Sequence, residues 1–145
     1  MPDVLDRLLE ITYLFQRDMA RTFEADGLTP ARLHLLWVLG AEGPLPQRAL
    51  AAALDVSPRN VTGLVDALEA SGHAARRPHP SDRRIALVTL TDRGETVVAG
   101  MQRDRRILTD ELVAGIDPGD LARLERDLAM VADRLRSLFD AGRPT

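Results

Sequence analysis

The chain contains no cysteine and no lysine, and its aromatic side chains are limited to one Trp, one Tyr and three Phe. Without cysteine, thiol redox sensing, thiolate zinc sites and disulfides are excluded together. The histidines, at 34, 73 and 79, have no metal-ligand spacing, so neither a metal nor another cofactor is expected. No run approaches ~18 uninterrupted apolar residues, which argues against a membrane span or a membrane partner. The N-terminus, Met1-Pro2-Asp3-Val4-Leu5-Asp6, is acidic at once and lacks the basic-then-apolar order of a signal peptide. A glycine-rich phosphate loop, paired carboxylates in an apolar setting and a nucleophile motif are all missing, so catalysis is not expected. A soluble, cytoplasmic, non-enzymatic protein is the expectation that remains.

What is present is a chain of 145 residues, long enough to bury a core without staples. Its net charge of −3 conceals a segregation. Residues 1–28 hold 3 Arg and 6 acids, and residues 94–145 hold 8 Arg and 10 acids. Between them, residues 29–93 hold 8 Arg against 6 acids. The local excess is modest, which suits specific recognition of a polyanion better than bulk attraction to one. Every basic side chain but histidine is Arg, the better bidentate reader of guanine.

Val4, Leu8, Ile11, Phe15, Met19 and Phe23 recur at steps of three and four, the period of one helix face, over about residues 3–25. Thr29-Pro30 starts a second helix, with hydroxyl N-cap and proline at the first position, that runs through Leu33, Leu36, Trp37 and Leu39 to Gly40. Glu42-Gly43-Pro44-Leu45 breaks it, and a short helix from Pro46 to Leu54 buries Leu50, Ala51 and Leu54. Ser57-Pro58 repeats the capping signature, and Gly72 closes the helix that follows. Ala74 to Arg77 and Ile85 to Leu90 read as strands around the turn Pro78-His79-Pro80-Ser81-Asp82. Thr91-Asp92-Arg93-Gly94 opens a helix to about Gly115, and Asp117-Pro118 opens the last. In that last helix Leu121, Leu124, Leu128, Val131, Leu135 and Leu138 form a seam resembling a coiled coil. Gly142 to Thr145 is expected to fray.

The helix from Ser57 carries the chemistry. On a helical wheel Val61, Leu64, Val65 and Leu68 share the core-facing side, while Arg59, Gly63 and Asp66 lie opposite, flanked by Asn60 and Thr62. Arg59 has the donors for guanine O6 and N7, Asn60 those for adenine, and Thr62 a methyl and a hydroxyl for thymine or phosphate. Ser57 caps an N-terminus whose N–H groups suit a phosphate. Gly63, within a helix, costs ~1 kcal/mol relative to Ala, and close approach to a groove floor would account for it. Directly after it, Arg76, Arg77, Arg83 and Arg84 gather on a ribbon with two prolines at its tip. Asp82 among them is placed to orient Arg84 or Arg83 through a bidentate pair.

Helix-turn-helix followed by a basic wing resembles the MarR family of bacterial transcriptional regulators. That family's wing carries Asp-x-Arg, five residues, then Leu-Thr, and this chain has Asp82-Arg83-Arg84, the five residues Ile85 to Thr89, then Leu90-Thr91, the same spacing. Leu28-Thr29-Pro30-Ala31-Arg32-Leu33 and the helix from Ser57 to Gly72 also match, so the resemblance covers about residues 4–140. His79 departs from it, standing where an acid is common. The resemblance implies that Arg84 enters the minor groove with Asp82 as its orienting partner. It also implies an obligate homodimer, often a repressor, that responds in many cases to a small aromatic or phenolic acid.

The expected fold is mainly α with a small β-hairpin wing. A winged helix-turn-helix region over 29–93 is flanked by dimerisation helices over 1–28 and 94–145, in one intertwined domain. Double-stranded DNA and a second copy of the chain are the expected partners, and the operator is expected to be pseudo-palindromic. A small-molecule effector would sit against the first two helices, where Tyr13, Arg17 and His34 offer polar groups and Trp37 a ring. The residues alone leave a second reading open, a winged-helix module that docks a protein instead of DNA.

Overall fold

The computed structural model describes residues 1–23 and 27–142. The side chain of Phe23, the expected helix end near residue 25 and the fraying of 143–145 lie outside the described residues. In chain order the elements are α1 (Val4–Phe23), α2 (Pro30–Glu42), β1 (Leu45–Pro46), α3 (Gln47–Leu54), α4 (Pro58–Ala70), β2 (Ala74–Pro78), β3 (Ala86–Leu90), α5 (Asp92–Val113) and α6 (Pro118–Asp140). They form two compact units, Met1–Met101 and Gln102–Thr145, with α5 crossing from one to the other.

Helix starts follow the chemistry of their caps. Thr29 accepts from the Arg32 N–H at 3.3 Å, Ser57 from the Asn60 N–H at 3.1 Å and Asp117 from the Gly119 N–H at 2.8 Å. In each case a proline follows the cap, where the missing N–H costs nothing. The helix α4 gives way to β2 through Gly72 at φ +80°, a left-handed turn that a side chain would strain.

The core of the first unit joins α2, α3, α4 and the sheet. Leu35, Leu36, Leu50, Val65, Leu68 and Val88 have no exposed surface. Burying a side chain of this size contributes ~1.5–3 kcal/mol, so this cluster fixes how α4 sits on α2 and α3. Leu64 and Leu54 pack against its edge. The start of α5 is pinned to the start of β2. A Cβ at Gly94 would lie 2.0 Å from the His73 carbonyl oxygen, and the Thr91 hydroxyl donates to the Gly72 carbonyl at 2.6 Å.

The sheet has three strands in the order β1-β3-β2, all antiparallel, where the sequence reading has a two-stranded hairpin. The addition is Leu45–Pro46, paired with Val88 and Leu87, where the sequence reading has the end of a helix break and the first residue of the next helix, which instead begins at Gln47. Pro46 lacks an N–H, which is tolerated because β1 is an edge strand.

The three long helices α1, α5 and α6 leave apolar surface uncovered, on α5 at Ile107 and Leu112. On α1, Val4 is 70% exposed and Leu9 60%. In the second unit, α6 has no buried residue, and Leu124, Leu128 and Leu138 of its seam are 45%, 48% and 56% exposed.

Candidate nucleic-acid interface

The helix-turn-helix is α3, a tight turn and α4. Asp55 ends α3 in the left-handed region at φ 53°, an accessible conformation for Asp, and Ser57 then caps α4. Because Val61, Val65 and Leu68 are turned into the core, Arg59, Asn60, Thr62 and Gly63 are left exposed on the other side. A Cβ at Gly63 would meet nothing within 4 Å, so nothing inside the protein demands glycine there.

Thr62 is not a free hydroxyl. Its Oγ1 donates to the Pro58 carbonyl at 2.9 Å and accepts from Gln47 Nε2 at 3.1 Å. What it can still offer a ligand is chiefly its methyl group.

The wing is β2, the turn and β3. The turn is closed by the His79 N–H donating to the Ile85 carbonyl at 2.8 Å and the Ser81 N–H donating to His79 Nδ1 at 3.0 Å. At its tip Asp82 grips Arg84, not Arg83. Arg84 Nε donates to Oδ1 at 3.1 Å and Nη2 to Oδ2 at 3.2 Å, and the Arg84 N–H donates to the same Oδ1 at 3.1 Å. The Arg84 side chain is nonetheless 90% exposed. The guanidinium, then the backbone N–H, holds the Asp82 carboxyl below the usual carboxylate range. Arg77 and Arg83 are exposed as well.

Arg76 stands apart from the other basic residues of the ribbon. Its guanidinium donates to Asp66 at 2.7 Å, to Glu69 at 2.8 Å and to Gln47 Oε1 at 2.9 Å, and its side chain is 28% exposed. Its backbone N–H donates to the second Glu69 oxygen at 3.0 Å. The sequence reading grouped Arg76 with the exposed arginines and had no role for Gln47 or Glu69. No local signal marks the trio, since Gln47 lies 29 positions from Arg76 and the acids seven and ten.

Of the residues expected at an effector site, Tyr13, Arg17 and His34 are exposed and Trp37 is half-buried on α2. Among the described residues no group of acidic and histidine side chains is arranged to hold a metal ion. Nor is any described helix long and apolar enough to cross a membrane.

The MarR family model matches residues 28–86, which span α2 through the wing tip. The HTH-type transcriptional repressor MdtR of Bacillus subtilis is 36% identical over 117 residues, 73% of this chain and 76% of that protein. The chain belongs to the MarR family. The transcriptional activatory protein BadR of Rhodopseudomonas palustris is 30% identical over 139 residues, covering 92% and 79% of the two chains. Among solved structures, FabT of Streptococcus pneumoniae, in complex with DNA, superposes with a TM-score of 0.78 at 19% identity, over 94% of this chain and 99% of that one. As a MarR-family winged helix-turn-helix protein, the chain is a DNA-binding transcriptional regulator, and the family is non-catalytic.

Proposed function

We propose that the protein is a homodimeric repressor that binds a pseudo-palindromic operator, α4 entering the major groove and the wing the minor groove. One observation carries this reading: a capped helix with an exposed Arg59, Asn60, Thr62 and Gly63 surface is followed by an exposed Arg84 that Asp82 holds in one orientation. In it, Arg59 grips guanine, Asn60 pairs with adenine and the N–H groups at Ser57 meet a phosphate. Arg77 and Arg83 lie along the backbone beside them. Residues 29–93 are the reading region, and 1–28 and 94–145 pair with the second copy. The exposed apolar surface of α1 and of the α6 seam supports that pairing, because patches of this kind on soluble proteins mark interaction sites.

Repression is the sign shared with MdtR, whose name states it; BadR is named as an activator. An aromatic or phenolic acid is the effector class, with Tyr13, Arg17 and His34 as its polar contacts and Trp37 as its stacking partner. Two experiments test the reading. Sedimentation equilibrium should give twice the chain mass, and a monomer would remove the two-fold reader. A reporter under the operator should rise when the gene is deleted, and a fall would make the protein an activator.

A further inference from the structure

Arg76 joins three elements that a DNA reader must hold in register. Through Gln47 it reaches the first residue of α3, through Asp66 and Glu69 the exposed side of α4, and through its own backbone it is part of β2. Gln47 also donates to the Thr62 hydroxyl, so the chain of contacts runs from the wing's base to a residue on the exposed surface of α4.

We propose that Arg76 and Gln47 are positioning residues that clasp the wing to α4, and that Arg76 makes no phosphate contact of its own. The inference rests on the DNA-binding reading above and adds to it how the two reading elements keep a fixed separation. A fork of planar donors with three different acceptors has one geometry that satisfies all of them, which makes it a register device. Its charge matters as well. Asp66 and Glu69 are exposed carboxylates of α4 that would repel a phosphate backbone, and the guanidinium neutralises them in place. Glu69 responds as a member of the clasp should: the Arg76 N–H and then its guanidinium hold the carboxyl below the ordinary range. The guanidinium is affected in return, its pKa pushed up by Asp66 and Glu69 against an opposing effect of burial.

Replacement by lysine separates a clasp from a phosphate contact. Lysine keeps the charge but not the planar fork. For the full-length protein on its selected operator, Arg76→Lys and Arg76→Ala should both weaken binding about tenfold, the loss of a charge-assisted set of hydrogen bonds. The slope of log K against log salt should stay at the wild-type value. Adding Asp66→Asn and Glu69→Gln to Arg76→Ala should cost nothing further and recover part of the loss, because the clasp is already broken and the unpaired carboxylates no longer repel the backbone. Circular dichroism before each titration ensures that only folded variants are compared. Where Arg76→Ala does not fold, Gln47→Ala, which leaves the Arg76 charge in place, should still weaken binding by unfastening the clasp, and wild-type affinity in that variant overturns the proposal. The proposal is overturned if Arg76→Lys binds like wild type, or if Arg76→Ala lowers the slope by about 0.9, the mark of one lost phosphate contact. A wild-type protein without salt-dependent operator binding overturns the functional reading itself and the proposal with it.

Discussion

Asp82 and Arg84 form a closed fork at the wing tip, both carboxylate oxygens accepting from one guanidinium at 3.1 and 3.2 Å. The pair is two residues apart in an exposed turn, and the Arg84 N–H donates to the same carboxylate at 3.1 Å. A long flexible side chain is thereby ordered before any ligand arrives, which reduces the entropy lost on binding.

Removing either partner should have different consequences. Arg84→Ala should weaken operator binding and lower the salt slope by about 0.9, with the dimer intact. Asp82→Ala should weaken binding while leaving the slope near the wild-type value, since the charge that meets DNA is retained. Fluorescence anisotropy over a range of salt reads both. Unchanged affinity in Arg84→Ala would remove the wing from the interface.

Gly63 gives a test in which stability and function move in opposite directions. A Cβ there meets nothing within 4 Å, so Gly63→Ala should raise stability by about 1 kcal/mol through helix propensity. Operator affinity should fall if α4 lies close on the groove floor. Chemical denaturation and anisotropy measured on the same sample check the two signs. A stabilised variant with wild-type affinity would mean that the helix keeps its distance from the DNA.

Gly94 is the contrary case. An added Cβ would stand 2.0 Å from the His73 carbonyl oxygen, a backbone atom that cannot swing away. Gly94→Ala should cost roughly 1–3 kcal/mol of stability, the range for overpacking a tight contact. Urea unfolding measures it, and a variant as stable as wild type would show that α5 and β2 are free to separate.

Acid should loosen the clasp and the wing tip. The Glu69 and Asp82 carboxyls are held below their ordinary values, the first mainly by the Arg76 N–H and the second mainly by the Arg84 guanidinium. A lowered folded-state pKa gives stability that is fully present above the unfolded carboxylate pKa, near ~4, and lost as pH falls through the folded value. Glu69→Gln should therefore flatten the fall in stability below about pH 4. Denaturant midpoints at stepped pH follow it, and curves parallel to wild type would show that Glu69 does not contribute.

Much of this was legible in the chain because local chemistry was sufficient. Thr29-Pro30, Ser57-Pro58 and Asp117-Pro118 each pair an oxygen acceptor with a proline, and each begins a helix at the expected residue. Asp82 was legible as an orienting group because its partner is two positions away. What was missed depends on distant parts of the chain. Leu45 looks like part of a helix break and Pro46 like a helix start, because their strand character exists only in pairing with Val88 and Leu87. Arg76 looks like one more arginine in a basic ribbon, and only the fold brings Asp66, Glu69 and Gln47 around it.

The most direct test of the central claim is a selection of random duplex DNA by the purified protein. A two-fold reader of this size should enrich an inverted repeat whose half-site centres lie about 10 bp apart. No enrichment at low salt, with the dimer confirmed, would contradict the account and favour a winged helix that docks a protein.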